Sequence, residues 1–162
     1  MKTTLEFIAS GANVSRYHTV TTVRSESVGH HSHGVALLAT LLNPLASRAL
    51  LLSALYHDLA EHQTGDIPSP AKRAYGIGEQ VAQLECRLLR DAGIPMPELT
   101  PEDERTLSLA DIAQGALYCV SEMNLGNKGA RVIYDRYMSY ARSLILVGRE
   151  RELFNTIEGM IL

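Results

Sequence analysis

The sequence predicts an all-α fold, a compact bundle of about six or seven helices. Apolar residues recur with helical spacing along almost the whole chain, and no stretch shows the apolar–polar alternation of a half-buried strand. Hydrophobic residues make up 46% of the 162 residues and charged residues 20%, so the chain can bury a sizeable core and is not disordered. This length predicts one domain over residues 1–162.

The N-terminal half holds three predicted helices and one loop. Gly11 ends the first helix, and Asn43-Pro44 stops the second, because proline disfavours a helical conformation at the residue before it. The third helix is apolar on nearly all sides, which predicts the central buried helix of the bundle. The helices cover Thr3–Ser10, Val28–Leu42 and Leu45–Glu61, and the loop Thr19–Arg24 is the one β-like stretch.

The C-terminal half begins with residues 63–70, which their glycine and prolines predict to be a loop. Ser69 followed by Pro70 is typical of an N-cap with proline at the first helical position. A tyrosine stripe at positions 134, 137 and 140 indicates helix packing or a subunit interface. Further predicted helices cover Gly78–Asp91, Pro101–Ser121, Lys128–Val147 and Arg149–Ile161.

The charge balance argues against one broad class of function. The chain has 15 basic and 18 acidic residues, whereas a protein that coats a nucleic-acid polymer needs a net basic face. No apolar run has the length of a membrane span, and the N-terminus lacks the apolar stretch of a signal peptide. Cys86 and Cys119 have no metal-binding spacing, so we expect reduced, buried, structural cysteines in a cytoplasmic protein.

Three histidine and aspartate signals lie on predicted helices. His57-Asp58 ends the apolar third helix, where adjacent ionisable residues are unfavourable unless something pairs with them; a helix-end salt bridge is the simpler explanation of that pair alone. His31 is one of three histidines in four residues, which surface decoration would also explain. Asp111 lies in a helix that is apolar on most sides, so it faces either a cation or solvent.

Taken together, these residues predict a metal site. His31, His57, Asp58 and Asp111 offer two imidazoles and two carboxylates from three helices, a mixed set suited to Mn, Co, Zn, Fe or Mg. The negative end of the helix dipole near His57 also favours a cation. We therefore expect a divalent metal cofactor, with Co, Zn, Mn and Mg as candidates.

The order H…HD…D resembles the signature of the HD-domain phosphohydrolases, which implies a helical HD-domain bundle. The run from His57 to Glu61 (HDLAE), followed by residues 64–72 (TGDIPSPAK), resembles the HDxxE…TGDxPxPxK element of the YfbR-like 5′-deoxynucleotidases. Arg16-Tyr17 and the segment RSESV at residues 24–28, with His31-Ser32, also resemble that family. The resemblance covers residues 16–72 and, by motif, Asp111.

One branch of this family fits the chain best. Small phage dATP triphosphohydrolases of the DatZ type belong to it, and the short chain and residues 16–20 (RYHTV) are more similar to them than to the bacterial nucleotidases. Two positions depart from the bacterial pattern. His30 stands where that pattern has an acid, and Tyr17 stands where it has tryptophan.

The resemblance implies two catalytic carboxylates beside a metal that lowers the pKa of water and so supplies a nucleophile. Glu61 lies one helical turn past His57, so it can orient the attacking water or shuttle a proton; a surface glutamate is the alternative. Asp66 can align water or protonate the 5′-oxygen, and an ordinary turn residue is the alternative.

Five residues are candidates for substrate binding. Arg16 and Lys72 can bind phosphate oxygens, although ordinary surface charges would look the same in the sequence. Tyr17 offers a flat face for a purine, or core packing, and Thr19 would form a small wall opposite. Pro70, without an N–H, would present only an apolar surface and exclude an amino group at the purine C2 position.

The resulting hypothesis is an enzyme that hydrolyses deoxynucleoside triphosphates, preferentially dATP, to deoxyadenosine and triphosphate. For a phage protein acting in the host cytoplasm, this would deplete dATP in favour of 2-aminoadenine in phage DNA. The alternatives are a 5′-deoxynucleotidase acting on monophosphates such as dAMP, and a non-catalytic nucleotide-binding HD module. The family also implies a homo-oligomer, a dimer or a hexamer, without a nucleic-acid polymer or membrane as partner.

Overall fold

A computed structural model describes residues 1–94 and 96–162, and it confirms the all-α fold class. Within these ranges the chain forms nine helical segments, more than the predicted six or seven. Two of the nine are short, with four and six residues. An isolated antiparallel bridge joins Ser15 to Ser27, and the described residues form no β-strand beyond this bridge. The helices are α1 Lys2–Ala12, α2 Val28–Leu42, α3 Arg48–Tyr56, α4 Glu61–Thr64, α5 Ser69–Ala74, α6 Gly78–Asp91, α7 Pro101–Asn124, α8 Ala130–Ser143 and α9 Gly148–Glu158.

The central helix is α7, and the prediction of residues 45–61 for this position is wrong. Helix α7 packs against α2, α3, α8 and α9, and its residues 112–116 are all buried. Helix α3 buries only Leu50, Ser53 and Ala54. The small residues Ala110, Ala113, Gly115 and Ala116 let neighbouring helices approach α7 from several sides. The leucines of α3, in contrast, are buried on only one part of that helix.

Serine caps determine where α2 and α3 begin. The hydroxyl of Ser27 accepts a hydrogen bond from the backbone N–H of His30, and that of Ser47 accepts one from Leu50. Each bond satisfies one of the free N–H groups in the first helical turn. Helix α2 ends at Leu42, before Pro44, as predicted, and α3 begins at Arg48, three residues later than predicted.

A turn at residues 57–60 interrupts the predicted third helix. Helix α3 ends at Tyr56 and the single turn α4 begins at Glu61. Helix α1 packs so closely on this turn that a side chain at Gly11 would overlap the carbonyl of Leu59. Phe7, Leu59 and Leu89 bury this junction in a small core that joins α1, the turn and α6. The turn therefore holds His57 and Asp58 beside the bundle core rather than at a free helix end.

The loop between α1 and α2 is anchored at both ends. Arg16 N–H donates to the carbonyl of Glu26 and Val28 N–H to that of Val14, which closes the loop beside the Ser15–Ser27 bridge. The Glu122 carboxylate, fully buried on α7, accepts from the backbone N–H groups of residues 23 and 24 and from the Asn127 amide. These bonds hold the loop that carries Arg16 and Tyr17 against α7.

We expect Glu122→Ala to destabilise the protein by about 2 kcal/mol, because the two loop N–H groups lose their charged acceptor. For a chain of this size that lowers Tm by about 4–8 °C. Burial alone would raise the pKa of Glu122, but the hydrogen bonds from Asn127, Val23 and Arg24 lower it overall. The stabilisation is therefore complete above the unfolded-state pKa and is lost as the pH falls through the lower folded-state value. Thermal melts across acid pH measure this, with Glu152→Ala, an exposed glutamate on α9, as the control.

The described helices are all too short or too polar to cross a lipid bilayer.

Candidate metal and catalytic site

His31, His57 and Asp58 bring one ligand atom each into a cluster whose members lie within 4.8 Å of one another. His31 comes from α2, and the other two come from the turn after α3. Nε2 of His31 lies 3.3 Å from Nε2 of His57 and 3.5 Å from Oδ2 of Asp58, and the last two atoms are 3.4 Å apart. The three atoms form a nearly equilateral triangle.

Asp111 joins this triangle from α7. Its Oδ1 atom lies 3.1 Å from Nε2 of His31, and its side chain is 46% exposed. The pKa of Asp111 lies well below its usual range: desolvation opposes this, but the hydrogen bond with His31 and the His31 and His57 rings outweigh it. All four predicted metal ligands therefore meet around His31, although Asp111 falls outside the tightest three-residue cluster.

The tautomers of the two histidines show that this donor set fits a cation. Nδ1 of His57 donates to the carbonyl of Ala54 (2.9 Å), and Nδ1 of His31 donates to Oε1 of Gln114 (2.5 Å). Both Nε2 atoms are then left with lone pairs that face each other and the carboxylates, an arrangement that requires an extra proton or a bound cation. Metal–ligand bonds of about 2.0–2.2 Å place neighbouring ligands about 3–3.5 Å apart, which matches the observed spacings.

Arg16 lies at the edge of the cluster and not on the open surface. Its Nη1 donates to Oδ2 of Asp58 (2.7 Å), and its Nε lies 3.4 Å from Oε2 of Glu26. The guanidinium is 10% exposed. This position supplies a positive charge beside the predicted metal ligands, where an anionic substrate would arrive.

Glu61 is a buried acid next to the same cluster. It is 3% exposed, and its Oε2 atom has no hydrogen-bond partner. Burial, and then the charges of Asp58 and Asp66, raise its pKa to about 9, while Arg16 and Lys72 act in the opposite direction. The predicted catalytic pair and Lys72 therefore lie within electrostatic range of one another, and Glu61 can hold a proton at neutral pH.

Tyr17 is held in an unusual conformation. Its φ of 56° is the one positive value among the described residues other than glycine. Strained backbone conformations of this kind cluster at functional sites, where the surrounding structure enforces them. One ring face stacks on Tyr118, with the centroids 4.6 Å apart, and its hydroxyl lies 3.1 Å from that of Tyr137. Its other contacts include Arg16, whose guanidinium lies 5.7 Å from the ring centroid.

Thr19 and Pro70 are exposed, and their predicted roles still depend on the sequence resemblance. Helix α5 begins at Ser69, so Pro68 and not Ser69 occupies the N-cap position, and the cap makes no side-chain hydrogen bond. Pro70 is therefore the second residue of α5 and not the first, so its predicted position is wrong by one residue. Lys72 lies on α5 and is half-buried.

Comparison with known proteins identifies the family. A sequence model described as "5′-deoxynucleotidase YfbR-like" matches residues 5–92. The chain belongs to the YfbR-like family. A 5′-deoxynucleotidase from Citrobacter koseri is 29% identical over 138 residues, which covers 70% of this chain and 69% of that protein. The Salmonella arizonae 5′-deoxynucleotidase YfbR is 28% identical, covering 80% and 79%.

Two solved structures share the fold of this YfbR-like chain. The HD phosphohydrolase DatZ of cyanophage S-2L, bound to dA and one catalytic Zn²⁺ ion, matches with a TM-score of 0.69 and 21% identity over 96% of this chain and 95% of its own. An HD-domain phosphohydrolase from Listeria innocua matches with a TM-score of 0.65 and 17% identity over 95% and 82%. The predicted HD bundle is confirmed.

The family and the fold confirm the coarser functional prediction. The chain is a hydrolytic enzyme of the YfbR-like family with the HD-domain fold, and its His–His–Asp cluster has the donors that a divalent metal ion needs. Which residues bind the metal and substrate stays a prediction, and so does the preferred nucleotide.

Sequence reasoning missed two buried polar residues of this YfbR-like site. Glu26 is 2% exposed and Gln114 is 7% exposed. Nε2 of Gln114 donates to Oε1 of Glu26 (2.7 Å), on the side of Gln114 opposite His31. The available signals were a glutamine three residues after Asp111 on one helix face and a glutamate directly before the Ser27 cap, but neither pattern names a partner.

The two cysteines and His62 lie outside the metal cluster. Cys119 is buried, but Cys86 is exposed on α6, so the prediction of a buried Cys86 is wrong. Its position on the polar side of an amphipathic helix explains the exposure. Nδ1 of His62 lies 3.1 Å from the carbonyl oxygen of Leu59, so this histidine makes a local hydrogen bond.

Proposed function

We propose that this chain hydrolyses deoxynucleoside triphosphates, preferentially dATP, to deoxyadenosine and triphosphate. The observation that carries the hydrolytic part is the convergence of both histidines and both aspartates with the buried Glu61 and the cation of Arg16. The deoxyadenosine part is supported by the likeness to the dA-bound DatZ structure over nearly the full length of both chains. The triphosphate part rests on the sequence resemblance of residues 16–20 to the DatZ-type enzymes. In a phage setting, the reaction would deplete dATP in favour of 2-aminoadenine.

His31, His57, Asp58 and Asp111 are the residues proposed to hold the metal. When bound, the metal supplies an acidified water and offsets charge on the phosphoryl oxygens. Arg16 would bind a phosphate oxygen while it keeps Asp58 in place. Glu61, which can carry a proton at neutral pH, would orient the water or deliver a proton, and Asp66 would serve the 5′-oxygen from its loop.

The base and sugar would be recognised near Tyr17. We propose that Tyr17 and Thr19 line the nucleoside site and that Pro70 excludes a 2-amino group by steric contact, since it offers no N–H donor. Tyr118 and Tyr137 support Tyr17 by stacking and by hydrogen bonding, which limits how far the ring can move. A rigid ring favours a substrate without a 2′-hydroxyl.

A 5′-deoxynucleotidase acting on dAMP is the second candidate. It is favoured by the family model and by the relatives from Citrobacter and Salmonella, all described as 5′-deoxynucleotidases. Both reactions break the bond between phosphorus and the 5′-oxygen and release deoxyadenosine. They differ in the second product, which is triphosphate from dATP and phosphate from dAMP.

Product identification separates the two candidates. The metal-loaded enzyme is incubated with each dNTP and each dNMP, and the phosphate product is identified by ion chromatography. We expect dATP to be the best substrate, with triphosphate as product. Phosphate from dAMP with no turnover of dATP would support the nucleotidase instead, and nucleotide binding without either product would indicate a non-catalytic module.

Base selectivity gives a further prediction. We expect dATP to be hydrolysed at least about 10-fold faster than dGTP, 2-amino-dATP or ATP, a discrimination of about 1.4 kcal/mol, which one steric contact can supply. In Pro70→Ala, the 2-amino substrates should gain relative to dATP. Equal rates on dATP and dGTP in the unmodified enzyme would contradict the selectivity, and an unchanged preference in the variant would contradict only the role of the proline.

A further inference from the structure

A ring of buried polar contacts connects two of the proposed metal ligands through residues that do not touch the metal position. Gln114 binds His31 on one side and Glu26 on the other, and the second Glu26 oxygen faces the Arg16 guanidinium, which donates to Asp58. Side chains from α2, α7, the N-terminal loop and the turn after α3 thus form one circuit.

The direction of the Gln114 amide determines the tautomer of His31. An amide can present either its oxygen or its NH₂ group to the imidazole. Because Oε1 of Glu26 can only accept a hydrogen bond, it holds the NH₂ end of Gln114 and turns the amide oxygen towards His31. Nδ1 of His31 must then carry the proton, which leaves the Nε2 lone pair directed at the cluster.

We infer that Gln114 and Glu26 are positioning residues for the metal site, acting through His31. Glu26 orients Gln114, and Gln114 orients His31 and selects its metal-binding tautomer. The inference rests on the metal site of the proposed function and extends it to two residues outside the ligand set. Outer residues of this kind commonly change metal affinity by about 10–100-fold when they are replaced.

Close packing leaves the Gln114 amide little freedom to adopt another position. A Cβ atom at Gly34 of α2 would lie 2.9 Å from Cγ of Gln114, so the glycine allows the two helices to meet at this point. On the next residue, a Cβ at Gly115 would lie 2.5 Å from the ring of Tyr137. Gly34 therefore lets α2 pack directly against the Gln114 side chain, and Gly115 lets the Tyr137 ring pack on the neighbouring position of α7.

Exchanging the two polar groups tests the inference. Gln114→Glu places two carboxylates against each other with no donor between them, and we expect Zn²⁺ affinity to fall at least about 10-fold. Adding Glu26→Gln restores a donor: the new amide NH₂ can bind Glu at position 114, and its oxygen can face the Arg16 guanidinium as the second Glu26 oxygen does. The double variant has the same net charge as the parent and should recover Zn²⁺ affinity to within about threefold.

Zn²⁺ affinity is measured by competition with a chromophoric chelator, and melts in excess chelator verify folding. Gln114→Leu should also lose at least about 10-fold, whereas Thr106→Val, which removes a buried hydroxyl hydrogen bond from the same helix, should not. If Gln114→Leu does not fold, the Zn²⁺ affinities of Gln114→Glu and of its double variant with Glu26→Gln provide the test. Parent-like affinity in folded Gln114→Leu, or no recovery in the double variant, would overturn the inference.

A ligand variant distinguishes this failure from failure of the proposed site. His31→Ala should abolish Zn²⁺ binding if the site is correct. If His31→Ala loses Zn²⁺ while Gln114→Leu retains it, only the positioning role is wrong. If His31→Ala also retains Zn²⁺, the proposed metal site itself is wrong.

Discussion

Asp58→Asn is expected to remove metal binding and turnover together. Oδ2 of Asp58 lies within 3.5 Å of both histidine Nε2 atoms, so its negative charge would offset a cation held between them. An asparagine keeps an oxygen that accepts from Arg16, so the fold should survive. We expect the metal affinity to fall by more than the roughly 10–100-fold that outer residues control, with hydrolysis of every nucleotide lost.

Metal analysis after dialysis and a nucleotide hydrolysis assay measure the two effects on one sample. Asp135→Asn is the matched control, because Asp135 also pairs with an arginine, Arg131, but on the exposed face of α8. Excess chelator should abolish turnover of the parent enzyme, and added Zn²⁺ or Co²⁺ should restore it. A dialysed Asp58→Asn protein that keeps one equivalent of metal, or full parent activity in chelator, would contradict this assignment.

Helix ends were predictable where local chemistry determines them. Both α2 and α6 begin and end at the predicted residues, and α2 shows why: Ser27 caps its start and Asn43-Pro44 follows its end. These signals act within a few residues of one another, so a single sequence contains all the information they need.

The break after Tyr56 could not be predicted in the same way. The apolar run into Leu59 has good helical spacing, and the turn forms where α1 packs on it at Gly11, more than 40 residues earlier in the chain. The central position of α7 was missed for a similar reason. Alanine and glycine are weak hydrophobic signals in a sequence, but they permit close packing from several sides once the helices assemble.

The candidate site likewise contains residues that a local motif identifies and residues that only tertiary contacts identify. The four predicted ligands and Glu61 are marked by their ordered motif, and the structure brings them together. Glu26 and Gln114 are 88 residues apart, and their importance comes from the direction of one hydrogen bond that only the packed helices define. Sequence patterns identify residue types with metal chemistry, whereas the residues that orient them depend on tertiary contacts.

Glu61→Gln is expected to lower kcat by about 10²–10⁴-fold while metal binding persists, because glutamine keeps the shape but can neither accept nor deliver a proton. Asp66→Ala should act in the same direction. The Glu61 variant should also be more stable than the parent in excess chelator at neutral and alkaline pH. Burial of an unpartnered carboxylate, with Asp58 and Asp66 nearby, raises its pKa to about 9, which means that the charged form opposes folding.

The sign of the pH dependence follows from that raised pKa. Between the unfolded-state value near 4.5 and the folded-state value near 9, the folded protein holds a proton that the unfolded chain has released, so parent stability falls as the pH rises. The Tm difference between Glu61→Gln and the parent should therefore grow from pH 5 to pH 9, at about 2–4 °C for each kcal/mol. Glu98→Gln, an exposed glutamate, is the control for loss of a charge. A Tm difference that stays constant over this pH range would show that Glu61 is ionised normally, and turnover within a few-fold of the parent would remove it from the catalytic pair.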